Sequence, residues 1–308
     1  MIHFQPSELP QALRFQRNTT STLPPSSFNT LPLEITHQII SHLDLKSLLS
    51  FKNVSYTILA LVNSLPAFRD VITYAPGALR AFAASRLLSY FTVTQVSDVL
   101  HSDRCVNCKN FGPYVFLPTC ERCCYPCLYD YRVLRFRVLT PSKARKDFGV
   151  SASEIRRVPK MTLVSGTYSE MGRTFQRRIQ LVSLSALQLL NRAIGLNPLD
   201  DRVYDRFPFT ASISMPFLDS GSKIVQSGIW CRGCEDDWYR SCAGLQYEND
   251  YRNVDDHDHL CSTYRAFQMD EFLLHRDVCT GTRRLQRLYD AGEDDSTIEW
   301  RRNTLVRQ

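Results

Sequence analysis

The cysteines carry the densest chemical signal in the chain. All 11 fall after residue 104, and six lie within 23 residues: Cys105-Val-Asn-Cys108, eleven intervening residues, then Cys120-Glu-Arg-Cys123-Cys124-Tyr-Pro-Cys127. Two C-x-x-C pairs brought together supply four thiolates, the tetrahedral set that a structural zinc ion prefers. A two-residue gap lets both sulfurs of a pair point into one tight turn, and Asn107 tolerates the left-handed backbone such a turn uses. The second half of the tract offers two pairings, Cys120 with Cys123 or Cys124 with Cys127.

A second constellation follows at Cys231-Arg-Gly-Cys234, with Gly233 free to take a positive φ beneath a metal. Its complement is His275-Arg-Asp-Val-Cys279, because a His and a Cys at i, i+4 share one face of a helix. Acids at Asp270 and Glu271 before Phe272, Leu273 and Leu274 support that helix. The 40 residues between Cys234 and His275 are a modest obstacle, since loop-closure cost grows slowly with length. Cys242, His257, His259 and Cys261 lie inside that loop and compete for the same ligand positions. Two such sites would bind one or two structural zinc ions, each contributing on the order of 10 kcal/mol.

Neither cluster has the composition of a catalytic metal site. The first is all thiolate, and neither contains H-E-x-x-H or H-x-E with C-x-x-C. The chain also lacks a Gly-rich phosphate loop and a G-x-S-x-G elbow. The sequence therefore points to a non-catalytic protein.

The elements that must position these residues are mainly helical. Leu31 to Ser55 reads LPLEITHQIISHLDLKSLLSFKNVS. Pro32 suits a first helical turn, and Ile35, Ile39, Ile40 and Leu43 form one stripe of a 3.6-residue period. Asp44 ends that helix and is placed to cap the next, whose stripe is Leu45, Leu48, Leu49 and Phe51. Between the cysteine clusters, the pattern predicts short helices over 142–148 and 151–158, the second opened by a Ser151-x-x-Glu154 capping box. It predicts strands over 161–164 and 179–182, and a helix over 183–194 closed by Gly195.

Leu31, Pro32, Glu34, Ile35, Ile39, Leu43, Leu48, Leu49, Val54 and Ser55 resemble an F-box, the helical motif that docks onto the Skp-type adaptor of cullin–RING ubiquitin ligases. The chain departs from many F-boxes in continuing Tyr56-Thr57-Ile58-Leu59 where basic residues and a tryptophan are common; Phe68 is the large aromatic further on. The resemblance implies an adaptor-docking set of Leu31, Pro32, Ile35, Ile39, Leu43, Leu48, Leu49 and Val54. Fungal-type F-box proteins have a similar Cys-rich tract: C-x-x-C, Phe-Gly, then T-C-x-R-x-C-x-x-C. That pattern falls on Cys105, Cys108, Phe111-Gly112, Thr119-Cys120, Arg122, Cys124 and Cys127. It implies Cys105, Cys108, Cys124 and Cys127 as ligands, with Cys120 second in line.

The 308 residues, 44% of them hydrophobic, allow two domains. The expected organisation is a disordered Ser/Thr/Pro-rich segment 1–29, an F-box at 30–76 and a helical connector at 77–104. A Cys-rich zinc-binding domain at 105–290 and a tail at 291–308 follow. The fold class is α+β, mostly α. No segment has the apolar length of a membrane span, and MIHFQPSELP lacks a secretory signal pattern, so a cytoplasmic or nuclear protein with reduced thiols is expected.

The net charge of +6 is unevenly spread: residues 132–178 hold 12 basic and 3 acidic residues, and 235–299 hold 16 acidic and 7 basic. Two mutually attracting faces explain this, as does a basic partner-binding patch. The resemblance implies substrate recognition in an SCF-type ligase, with a Skp-type adaptor, a cullin reached through it, and a substrate protein as partners. Alternatives are an F-box module acting outside a ligase and a zinc protein binding nucleic acid. The latter would use Arg145, Lys146, Arg156, Arg157 and Lys160, which lack interleaved aromatics for base stacking.

Overall fold

The computed structural model describes residues 31–130, 132–163, 166–168, 173–175, 178–190, 208–243 and 263–291. The expected N-terminal segment, most of the tail, the end of the 183–194 helix, His257, His259 and Cys261 lie outside these residues. The fold is mostly α with several small antiparallel sheets. Among the described residues, no helix is long and apolar enough to cross a membrane.

Six helices open the chain: α1 (Leu33–Ser41), α2 (Leu45–Phe51), α3 (Tyr56–Ser64), α4 (Pro66–Tyr74), α5 (Pro76–Ala84) and α6 (Val93–Leu100). Their starts are written in the sequence. The Asp44 carboxylate accepts the Ser47 N–H at 2.9 Å and caps α2, and Ser55 Oγ accepts from Ile58 N–H at the start of α3. Pro66 and Pro76 occupy first turns, and Thr92 with Gln95 forms a capping box on α6.

Strands β1 (Tyr114–Phe116) and β2 (Glu121–Cys123) form a hairpin, followed by α7 (Tyr125–Tyr129). Then come β3 (Val138–Leu139), α8 (Pro141–Phe148), α9 (Ala152–Arg157) and β4 (Lys160–Thr162). The small pair β5 (Gly166–Tyr168) and β6 (Arg173–Phe175) precedes β7 (Gln180–Ser183) and α10 (Leu184–Leu190). Next are β8 (Ser212–Ser214), β9 (Phe217–Leu218), β10 (Val225–Gln226), β11 (Ile229–Trp230), α11 (Arg232–Ala243), β12 (Ala266–Phe267), α12 (Met269–Val278) and α13 (Thr280–Asp290). The expected capping box at Ser151 and Glu154 forms, with Ser151 N–H donating to Glu154 Oε2 at 2.8 Å.

One hydrophobic core runs from Ile40 in α1 through Leu48, Phe68, Phe82 and Leu100 to Phe116, Cys124, Cys127 and Leu218. The helical N-terminal region and the first cysteine tract therefore share an interior. Arg122 rivets them together. Its guanidinium is buried and donates to the carbonyls of Val99 and Leu100 at the end of α6, Gly112, Met215 and Pro216. Gly112 is required because a Cβ there would lie 2.8 Å from Arg122 Cγ. A second core joins β3, β4 and β7 to α8, α9 and α10. The third, around Cys231, Phe267 and Cys279, is very small.

Candidate metal centres and adaptor face

The first tract folds around its own sulfurs. β1 and β2 pair with Tyr114 opposite Cys123 and Phe116 opposite Glu121, and β8 extends the sheet on the other edge of β1. The chain then leaves β2 directly into α7, whose first turn carries Cys127, while Cys124 is its N-cap. One sulfur from each of Cys105, Cys108, Cys124 and Cys127 gathers into a group within 4.8 Å. Cys108 and Cys124 sulfurs stand 3.5 Å apart, beyond any disulfide. Asn107 donates its side-chain amide to Cys127 Sγ at 3.3 Å, while the left-handed backbone of this turn falls on Lys109, φ 64°. The expected role of Asn107 thus passes to Lys109, and Asn107 supports a sulfur instead.

Cys120 and Cys123 lie elsewhere. Cys120 sits in the hairpin turn with φ 52°, and its buried thiol is pushed up to about 12 by desolvation. Burial also raises the Cys123 thiol well above its usual range. Both are core residues whose burial keeps the thiols protonated, and neither belongs to the gathered sulfurs.

The gathered thiols are in electrostatic conflict. Hydrogen bonds from Cys105, Cys124 and Cys127 hold Cys108 far below the ordinary thiol value. Cys124 and Cys127 are pushed up, first by Cys105 and then by Cys108. Cys105 settles at about 7, the raising influence of Cys108 being outweighed by hydrogen bonds from Cys124 and Cys127. A dication at the centre would neutralise this crowding and stabilise all four thiolates.

The second group brings Cys231, Cys234, His275 and Cys279 together, with ligand atoms again within 4.8 Å. Cys231 and Cys279 sulfurs are 3.7 Å apart, Cys234 and Cys279 sulfurs 3.9 Å, and Cys234 Sγ lies 3.3 Å from His275 Nε2. Sulfurs about 2.3 Å from a tetrahedral zinc are about 3.8 Å from one another, so the cage has the right size. Cys231 is lowered to about 4, first by the hydrogen bond from Cys234, whose own thiol Cys231 pushes up. The His275 ring is fixed by stacking on Phe267, with centroids 4.5 Å apart and planes 19° from parallel.

The strand pair β11–β12 closes the long gap between the two halves of this site. Ile229 pairs with Phe267 and Trp230 with Ala266, which sets Cys231 beside the start of α12. Gly233 has no positive φ, contrary to the turn expected there; it lies in the first turn of α11. Its lack of a side chain serves close contact, because a Cβ would overlap Thr282 and Gly281 in α13. Cys279 falls just past the helix expected to hold it, between α12 and α13, its N–H donating to His275 O at 2.9 Å. Cys242 lies within α11.

In the N-terminal helices, apolar residues divide between two faces. Leu45, Leu48 and Leu49 are at most 3% exposed and Ile40 1%, all inside the chain's own core. Leu31, Leu33, Ile35 and Ile39 are 41–51% exposed, and Pro32, Val54 and Tyr56 are exposed beside them. The expected stripe of α1 is thus split: Thr36 and Ile40 face in, Ile35 and Ile39 face out. Leu48 and Leu49, expected among the docking residues, are buried here and present no surface, and Leu43 is half-buried. Leu33 and Tyr56, each the first residue of its helix, are exposed.

A histidine array near this region has the outline of a catalytic triad. His101 Nε2 lies 3.3 Å from Asp70 Oδ2, and Nδ1 lies 3.0 Å from Ser220 Oγ. Nδ1 also faces the Leu218 carbonyl at 2.9 Å, and a carbonyl can only accept. A proton therefore sits on Nδ1, which cannot act as base toward Ser220. The array clamps α4 to the β9–β10 hairpin.

No curated protein and no solved structure matches the chain. The family model of the F-box domain matches residues 28–70, so the helices that carry the exposed apolar face are an F-box domain.

Proposed function

We propose that this protein is a substrate receptor of an SCF-type ubiquitin ligase, acting in the cytoplasm or nucleus. The observation that carries the reading is the division of the F-box. Its inner residues complete a continuous core, while Leu31, Pro32, Leu33, Ile35, Ile39, Val54 and Tyr56 stay exposed as an apolar face. A contiguous exposed apolar surface on a well-packed scaffold marks a protein interface. This face would bury against a Skp-type adaptor and through it reach a cullin. Zinc ions held by Cys105, Cys108, Cys124 and Cys127, and by Cys231, Cys234, His275 and Cys279, would be structural, since every tetrahedral position is filled by protein. The chain supplies a scaffold and two binding surfaces; the transfer chemistry belongs to the other ligase subunits.

The test is co-purification with a Skp-type adaptor. Wild type should retain the adaptor, and Ile35→Lys with Ile39→Lys should lose it while remaining folded, because both side chains are exposed. Leu31→Ala with Pro32→Ala should weaken it. A wild-type chain that never associates would sink the ligase reading.

A further inference from the structure

A shallow, open groove of about 400 Å³ on α12 and α13 is lined by Arg276, Asp277, Thr282, Arg283, Gln286 and Arg287. The helices that carry it are braced from behind. Arg284, on the inner side of α13, bonds the carboxylates of Asp236 and Asp237 in α11, and Gly233 and Gly281 set the two helices in backbone contact. Two of the lining guanidiniums are held in place: Arg276 against the Asp277 carboxylate at 3.1 Å, and Arg283 on the Asp277 backbone carbonyl. Arg287 makes no side-chain hydrogen bond or ion pair among the described residues. Three cations thus line the groove against one carboxylate, while Gln286 donates to Asp290 at 2.9 Å and Thr282 turns its hydroxyl to Cys231 Sγ.

The flanks are apolar. Leu273 lies one turn back from Arg276 and Asp277 on α12, and Met269 a further turn back; both are exposed. Tyr289, one turn beyond Gln286 on α13, is 75% exposed. Guanidiniums read carboxylates through paired N–H donors, and the flanking side chains suit an aliphatic or aromatic residue next to the acids.

We propose that this groove receives an acidic segment of a partner protein, with Asp or Glu carboxylates on Arg276, Arg283 and Arg287 and an apolar residue against Leu273 or Tyr289. The assignment rests on the substrate-receptor reading, of which it names the substrate class.

The probe is a fluorescein-labelled Asp/Glu-rich peptide carrying one leucine, titrated into the full chain, with its Asn/Gln counterpart as control. The acidic peptide should bind saturably, lose affinity as salt rises, and bind about fivefold more weakly to Arg287→Glu, which sacrifices no internal contact. Equal binding of the neutral peptide, or an unchanged affinity in Arg287→Glu, would overturn the proposal. So would binding confined to a phosphoserine version, or displacement by RNA at lower concentration than by the peptide. Binding that appears only after E293Q, D294N and D295N would assign the groove to the chain's own acidic run instead. Adaptor co-purification, read in parallel, separates the two readings. Adaptor retained without peptide binding defeats the groove alone, and peptide binding without adaptor defeats the ligase reading alone.

Discussion

Gly281 of α13 lies against the carbonyl of Gly233 in α11, so closely that a Cβ on either residue would overlap the facing backbone. The two glycines set how near α13 comes to Cys231, and Thr282, next along, places its hydroxyl 3.4 Å from Cys231 Sγ. Gly281→Ala should push the helices apart, at a cost of about 3 kcal/mol from overpacking. Chemical denaturation with zinc analysis should show a destabilised chain holding one zinc fewer.

Arg122 predicts a different failure. Replacing it by Met would remove the guanidinium from five buried or part-buried carbonyls, among which that of Val99 keeps a backbone donor, Ser102 N–H, a loss of about 3–5 kcal/mol. Urea unfolding should move to lower denaturant for the N-terminal helices and the first cysteine tract together. Separate transitions for the two would contradict a shared core.

Metal stoichiometry distinguishes the cysteines. Elemental analysis of protein purified under reducing conditions should find two zinc ions per chain. Cys124→Ser should lower this by one, and Cys120→Ser should leave it unchanged, because that thiol is not among the gathered sulfurs. Equal losses would redraw the first site.

Acid should act on the α11–α13 contact through Asp236. Burial alone would raise this carboxyl, but hydrogen bonds from Arg284 and then Arg240 hold it below 3.8. A depressed folded value means stabilisation that is complete above the unfolded value and disappears as pH falls through the folded one. Wild type should therefore exceed Asp236→Asn in stability at neutral pH, and the difference should shrink below about pH 4. A pH-independent difference would mean the ion pairs are not its source.

Within the F-box, apolar residues on the two faces should behave oppositely. Leu48→Ala should cost about 2–5 kcal/mol in stability through a core cavity. Ile39→Ala should leave stability nearly unchanged and weaken adaptor binding. Thermal melts and adaptor pull-downs on the same two variants measure both effects.

Local signals in the sequence translated well into helix starts. The caps expected at Asp44 and Ser151 both form, because capping depends only on neighbours within one turn. Which side of α1 faces inward was hidden, since an interface helix carries apolar residues on both faces and period alone cannot rank them. The gathering of Cys231 with Cys279 was suggested by ligand spacing, yet the two-residue strands that close the loop are too short to leave a periodic trace. Arg122 stood in plain view inside the cysteine tract. Its burial depends on carbonyls from residues 99–100 and 215–216, partners that no local pattern connects. The same holds for Gly233, whose necessity comes from a helix some fifty residues later.

The interior shared by the F-box and the first cysteine tract has a consequence for how such a chain can change over time. Families that shuffle their parts need seams where one piece can be exchanged without exposing another. Here the seam is missing: a cut anywhere between α6 and β1 would uncover Leu79, Phe82 and Leu100 on one fragment and Phe116 on the other. The F-box cannot be lifted away from the first cysteine tract without exposing that shared interior on both pieces. Change in such a chain would have to come by substitution on its surface, not by exchange of these two parts.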